Sequence, residues 1–178
     1  MRIRKSLTTL TVVLGLILGG LLISSPASAD RRHGWDFVDI AGFFPATWPD
    51  TCAFPVQLAV PRQKTYQKVL VGPGGQVVLL LNGSLKETWS NPANGKSITV
   101  NATGSGKVTI NADGSLSIIQ TGHLGITPLT SADAARLGFP ALATLSGVVD
   151  EEYDANGNLT SLTLDHGTFG TDICAALT

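Results

Sequence analysis

The sequence predicts an all-β fold: an antiparallel barrel, or a closely related sandwich, of eight or nine strands with one short helix or lid loop. Three observations predict it. From residue 52 onward the apolar residues recur with a period of two rather than 3.6. Glycine- and asparagine-rich turn signals follow one another at intervals of about 10–12 residues. The only two cysteines, Cys52 and Cys174, bracket that whole region.

Each strand is read from its alternation. Phe54, Val56, Leu58 and Val60 alternate with Ala53, Pro55, Gln57 and Ala59. Lys64 to Val71 starts polar and ends apolar, and Val77 to Leu81 is apolar on both faces, as in a strand covered on both sides. Ile98 and Val100, Val108 and Ile110, and Leu162 and Leu164 each alternate with hydroxyl or amide residues. One apolar face and one polar face suit a half-buried antiparallel strand. Turns are placed at Gly72–Gly75, Asn82–Gly83, Asn91–Gly95, Gly104–Gly106, Ala112–Gly114 and Asp154–Asn158, with Asn156–Gly157 as a type I′ hairpin. Residues 127–140 break the pattern. Ser131 is positioned to cap a helix and Gly138 to end it, so this stretch is a short helix or a structured loop, serving as a connection or a lid.

The domain order follows from composition. Residues 1–29 read as a signal peptide: Arg2, Arg4 and Lys5, then an uncharged run from Leu7 to Ile23, then Ala27-x-Ala29, with cleavage between Ala29 and Asp30. The rival reading, a membrane anchor, needs a longer run than these 17 residues comfortably supply. Residues 30–51 form an aromatic-rich arm, and 52–178 form the β domain. Cleavage leaves nine basic and thirteen acidic residues, a net charge of −4. The full chain's net charge of −1 argues against a nucleic-acid binder, which needs a basic face, and cleavage leaves no stable membrane anchor. In an oxidising compartment Cys52 and Cys174 form one disulfide that ties the two ends of the sheet together.

Trp35, Phe37, Phe43, Phe44 and Trp48 place five of the chain's eleven aromatic residues within fourteen positions. Rings of that size do not stay in water. The arm therefore covers an open end or side of the fold, or offers a partner or ligand surface, or forms a membrane-docking patch, against which the acidic charge argues.

The motifs that resemble chemistry fail on inspection. Ser90 to Ser97 approaches a phosphate-binding loop, but its first glycine is replaced by Ser90 and its setting is a hairpin. Asp154, Asn156, Asn158 and Asp165 alternate as in a calcium loop, but Leu159 stands where the sixth-position glycine belongs. His33, His123 and His166 have no metal-ligand spacing. Asn82, Asn101 and Asn158 sit in N-x-[ST] sequons. No residue is assigned a catalytic, metal-binding or cofactor-binding role.

The segments Cys52-Ala53-Phe54-Pro55-Val56, Thr88 to Ser97 and Thr171 to Leu177 resemble those of a group of uncharacterised secreted proteins from Gram-positive actinobacteria. The resemblance covers residues 52–178. It implies an exported bacterial protein with one disulfide and implies no activity. The functional expectation is a secreted, extracellular or envelope-associated interaction module without catalysis. The alternatives are a carrier of a small hydrophobic ligand inside a barrel, and an enzyme built on barrel-lining polar residues.

Overall fold

The structure, a computed structural model, describes residues 34–125 and 128–178. The signal segment, Asp30 and His33 lie outside the described residues. The elements are β1 (Asp36–Phe37), β2 (Thr47–Trp48), β3 (Val56–Val71), β4 (Val77–Ser90), β5 (Ser97–Ile110), β6 (Leu116–Gly125), α1 (Ser131–Leu137), β7 (Ala143–Tyr153), β8 (Leu159–Asp172) and α2 (Ile173–Ala176). All eight strands belong to one antiparallel sheet in the order β1-β3-β4-β5-β6-β7-β8, with β2 also on β3. From β3 to β8 it is a simple meander. The sheet is not closed.

The strands are longer than the turn signals suggest. Asn82–Gly83 and Gly104–Gly106, read as turns, lie in the middle of β4 and β5. Their glycines serve the sheet instead. The register aligns Thr65, Gly83, Gly104, Gly122, Gly147 and Gly167 in one row across β3 to β8. A Cβ on any of these five glycines would come closer than 3.0 Å to the facing strand's backbone, a distance real Cβ atoms do not reach. Gly122, Gly147 and Gly167 also hold φ values of 137°, 149° and 137°, which only glycine adopts freely. A line of such residues lets a twisted sheet bend sharply and wrap its core.

Every buried strand residue lies on the face that carries this row. Toward the chain termini, that inner face packs Val56 and Trp89 against Leu142, Ile173, Leu177 and Cys52. Around the β7–β8 end of the glycine row, Leu145 on one side and Val149 and Leu162 on the other pack against Leu129 and Ala134 of the α1 segment. Thus α1 and α2 fill the concave side. The α1 N-cap is Thr130, whose hydroxyl accepts from the Asp133 N–H, and not Ser131; Ser131 instead binds the Asp50 carbonyl at 2.9 Å through its N–H. Gly138, at φ 73°, ends the helix as its position implied.

The disulfide joins Cys52 and Cys174 across 122 residues, with Cα atoms 5.6 Å apart. Cys52 precedes β3, the first strand of the meander, whose edge carries only the two-residue strands β1 and β2. Cys174 lies in α2, after the opposite edge strand β8, rather than in the last strand itself. The bond therefore links the two edges of an open sheet.

The turns use side chains as well as glycine. The Asp154–Asn158 turn is a three-residue loop: the Gly157 N–H donates to the Asp154 carbonyl, and the Asp154 N–H to the Asn158 carbonyl. This replaces the two-residue type I′ geometry. The Asp154 carboxylate accepts from the Asn156 and Asn158 amides, so these oxygen-bearing residues close a turn. Likewise, side chains of the Ser90–Ser97 segment bind the backbone at the end of the chain. Asn91 Nδ2 and Asn94 Nδ2 donate to the Leu177 carbonyl at 3.1 and 3.0 Å, and Lys96 Nζ to the Thr178 carbonyl. Asn91 is buried, and its Oδ1 accepts from the Ala93 N–H. Asn91→Ala should destabilise the fold by about 1–3 kcal/mol through two lost bonds, the one to the Leu177 carbonyl, which keeps Asn94 as its other donor, and the turn bond from Ala93, read as a lower urea midpoint at unchanged slope.

Candidate functional site: the outer face of the sheet

The polar face of the sheet points away from both cores. Because cross-strand register sets which residues become neighbours, the pairing determines what this face presents. Arg62 stands directly opposite Lys86. One row runs Lys64, Ser84, Thr103, His123, Ser146, Thr168, and another Lys68, Leu80, Lys107, Ile119, Asp150, Thr163. The Val60–Pro61 irregularity in β3 sets Arg62 and Lys64 on this face, in phase with Lys86.

The charges on it are segregated. Residues 34–178 hold seven basic side chains, and five of them, Arg62, Lys64, Lys68, Lys86 and Lys107, share the outer face of β3 to β5. No carboxylate shares that part of the face, and none of the five makes an ion pair among the described residues. At the other end, Asp150 and Glu152 project from β7, with Asp165 nearby on β8. Burial, and then the Glu152 and Asp165 charges, raise the Asp150 carboxyl above its ordinary range.

Between these poles lies a cleft of about 300 Å³. It opens where β6 stops pairing with β5 at the Thr103–His123 pair. Asn101, His123, Thr144, Ser146 and Thr168 supply its polar wall, and Val100, Leu124 and Leu145 its apolar floor. His123 Nδ1 and Ser146 Oγ are 2.5 Å apart. These two are register partners on β6 and β7, and no carboxylate orients the imidazole ring among the described residues. The arrangement therefore lacks the third member of a nucleophile–base–orienter set. His166 lies on the same face opposite Val148. Among the described residues no group of three His, Cys, Asp or Glu side chains is placed to hold a metal ion.

The aromatic arm does not form one patch. Phe37, on β1, is half exposed and meets Tyr66 edge-to-face at 6.2 Å. Trp48, on β2, packs on the disulfide-bearing core. β1 pairs with Tyr66 and Gln67, and β2 with Val56 and Gln57. The two contacts are therefore roughly 30 Å apart along β3. Trp35 and Phe44 are half-buried, and the Phe43 side chain lies outside the described residues. The arm runs along the β3 edge and pairs at two points on it, and Gln63 of β3 holds the stretch between: its Oε1 accepts from the Ile40 N–H at 3.0 Å, and its Nε2 donates to Asp39.

Inward-facing carboxylates are the groups that sequence reasoning missed. Glu87 is buried on the concave face and accepts from Trp89 Nε1 at 3.1 Å. Glu151 is buried too, and accepts from Tyr153 Oη at 2.7 Å and Gln120 Nε2 at 3.2 Å. Their parity with Trp89 and Val149 was the available signal. Burial raises the Glu87 carboxyl above its ordinary value, and the Trp89 bond only partly opposes this. The folded state thus keeps the Glu87 proton to higher pH than the unfolded chain does. This contribution is complete below the unfolded-state pKa near 4.5 and is lost as pH rises through the folded value. Glu87→Gln keeps an acceptor for Trp89 and removes that loss. Its thermal midpoint relative to wild type should rise between pH 4 and pH 7; parallel profiles would refute the assignment.

The chain matches no family model, no curated protein and no solved structure.

Proposed function

We propose that the protein is a secreted, non-catalytic binding module of the extracellular space or cell envelope, and that the outer face of its sheet is the working surface. The observation that carries this reading is the segregation of charge: a net-acidic chain collects five of its seven described cations on one sheet face with no carboxylate among them. Two further facts are compatible with export: the Cys52–Cys174 disulfide, and the absence, among the described residues, of a helix long and apolar enough to cross a membrane. The carrier alternative has less support, because side chains of the two cores occupy the concave side. An enzyme reading would rest on His123 and Ser146, whose contact their register already explains.

The test is retention. Immobilised mature protein and an Arg62→Glu/Lys86→Glu variant are challenged with cell-wall and secreted fractions of the source organism. Wild type should retain envelope material that the variant loses. Equal retention by both would remove the outer face from the working surface.

A further inference from the structure

We infer that the basic half of the outer face binds a flexible, chain-like polyanion whose charge is carried by phosphate, laid across β3, β4 and β5. This inference rests on the reading of the outer face as the working surface and names its ligand class. Arg62 and Lys86 face each other in register. Like charges directly opposite one another destabilise a sheet, so the pair carries a cost that the fold does not need. Protection of a free edge by charge explains cations poorly even on β3, whose edge is paired with β1 and β2 and bonded to the arm between them. It does not account for Lys86 and Lys107 on inner strands β4 and β5.

The surroundings favour phosphate on a chain. Hydroxyls of Ser84 and Thr103 share the row with Lys64, offering neutral hydrogen-bond donors between the charges. Arg62 supplies a fork that matches two phosphate oxygens. The face lies on the outside of a sheet that wraps its core. A flexible chain follows such a surface, whereas a flat bilayer touches it over a small area only. The acidic pole of a second copy is the other complementary partner, through Asp150 and Glu152.

The probe is long-chain inorganic polyphosphate, fluorescently labelled, titrated with disulfide-intact mature protein and followed by anisotropy. Binding should weaken about 20- to 100-fold between 50 and 200 mM salt, as for three to five phosphates neutralised on a single-stranded chain. Arg62→Glu/Lys86→Glu should weaken it at least tenfold at low salt, and Asp150→Asn should not. Circular dichroism and thermal midpoints show whether each variant is folded, and Arg62→Gln/Lys86→Gln supplies a milder test. Three results would overturn the inference: no binding at 50 mM salt, binding indifferent to the charge variants, or tighter binding to phosphatidylglycerol vesicles than to polyphosphate. Salt-sensitive dimerisation without polyphosphate binding would assign the face to a second copy instead. Should the envelope fraction still be retained while polyphosphate neither binds nor competes, the ligand class fails and the broader reading stands.

Discussion

Replacing Gly147 or Gly167 with alanine is expected to abolish the native fold or to cost more than about 4 kcal/mol, far beyond an ordinary point substitution. The two glycines are register partners on β7 and β8. A methyl on Gly147 would overlap the His166 carbonyl and the Gly167 Cα, and one on Gly167 would overlap the Ser146 carbonyl and the Gly147 Cα. Neither obstacle is the movable end of a side chain. Relief requires the strands to part, and that exposes Leu145 on one side of the row and Val149 and Leu162 on the other. The backbone adds its own penalty, since φ values of 149° and 137° are foreign to alanine. Gly138 is the control. Its φ of 73° is also positive, but a Cβ there meets nothing within 4 Å. Gly138→Ala should therefore cost only the left-handed term, about 1–2 kcal/mol. Urea denaturation, with soluble yield where no transition survives, separates the cases. Similar losses at positions 138 and 147 would show that dihedral preference, and not strand contact, governs the row.

The same glycines mark where sequence reasoning stopped. Alternation at Phe54–Val60, Ile98–Val100 and Leu162–Leu164 is a local pattern with one cause, a sheet wetted on one side, and the all-β class was legible from it. Asn82–Gly83 carries equally local letters, which favour a tight turn. What overrides them is Gly104 lying opposite Gly83, twenty-one positions away, a relation that exists only once register is set. A clue was nonetheless present. Gly83, Gly104, Gly122, Gly147 and Gly167 each stand near the middle of the interval between two genuine turns, which suits a bend better than a reversal. The candidate site was hidden for the same reason. Arg62, Lys64 and Lys68 show strand parity in the sequence, but Lys86 and Lys107 join them only through pairing. The aromatic arm was conspicuous because its rings are adjacent in the chain. Adjacency in the chain did not become adjacency in space, since β1 and β2 attach at opposite ends of β3.

Removing the disulfide should produce the second large effect. In the chain-entropy account, a crosslink closing 122 residues stabilises by about 4–5 kcal/mol through the unfolded ensemble. For a domain of this size that corresponds to a fall in Tm of about 10–20 °C. The fold gives the bond a further task. The open meander begins at β3, whose edge carries only the short β1 and β2, and ends at β8; Cys52 precedes the first of these strands and Cys174 follows the last. With the bond cut, α2 is held by packing, by the Ile173 N–H bond to the Leu142 carbonyl and by the Asn91, Asn94 and Lys96 bonds to Leu177 and Thr178. The Cys52→Ser/Cys174→Ser variant should thus lose protection first at α2 and at the start of β3, and later along the glycine row. Hydrogen exchange reads this directly. A uniform loss across the sheet would mean that the bond acts through the unfolded chain alone. Fast exchange confined to α2 and residues 52–60 would show that it also pins the two edges of the native sheet.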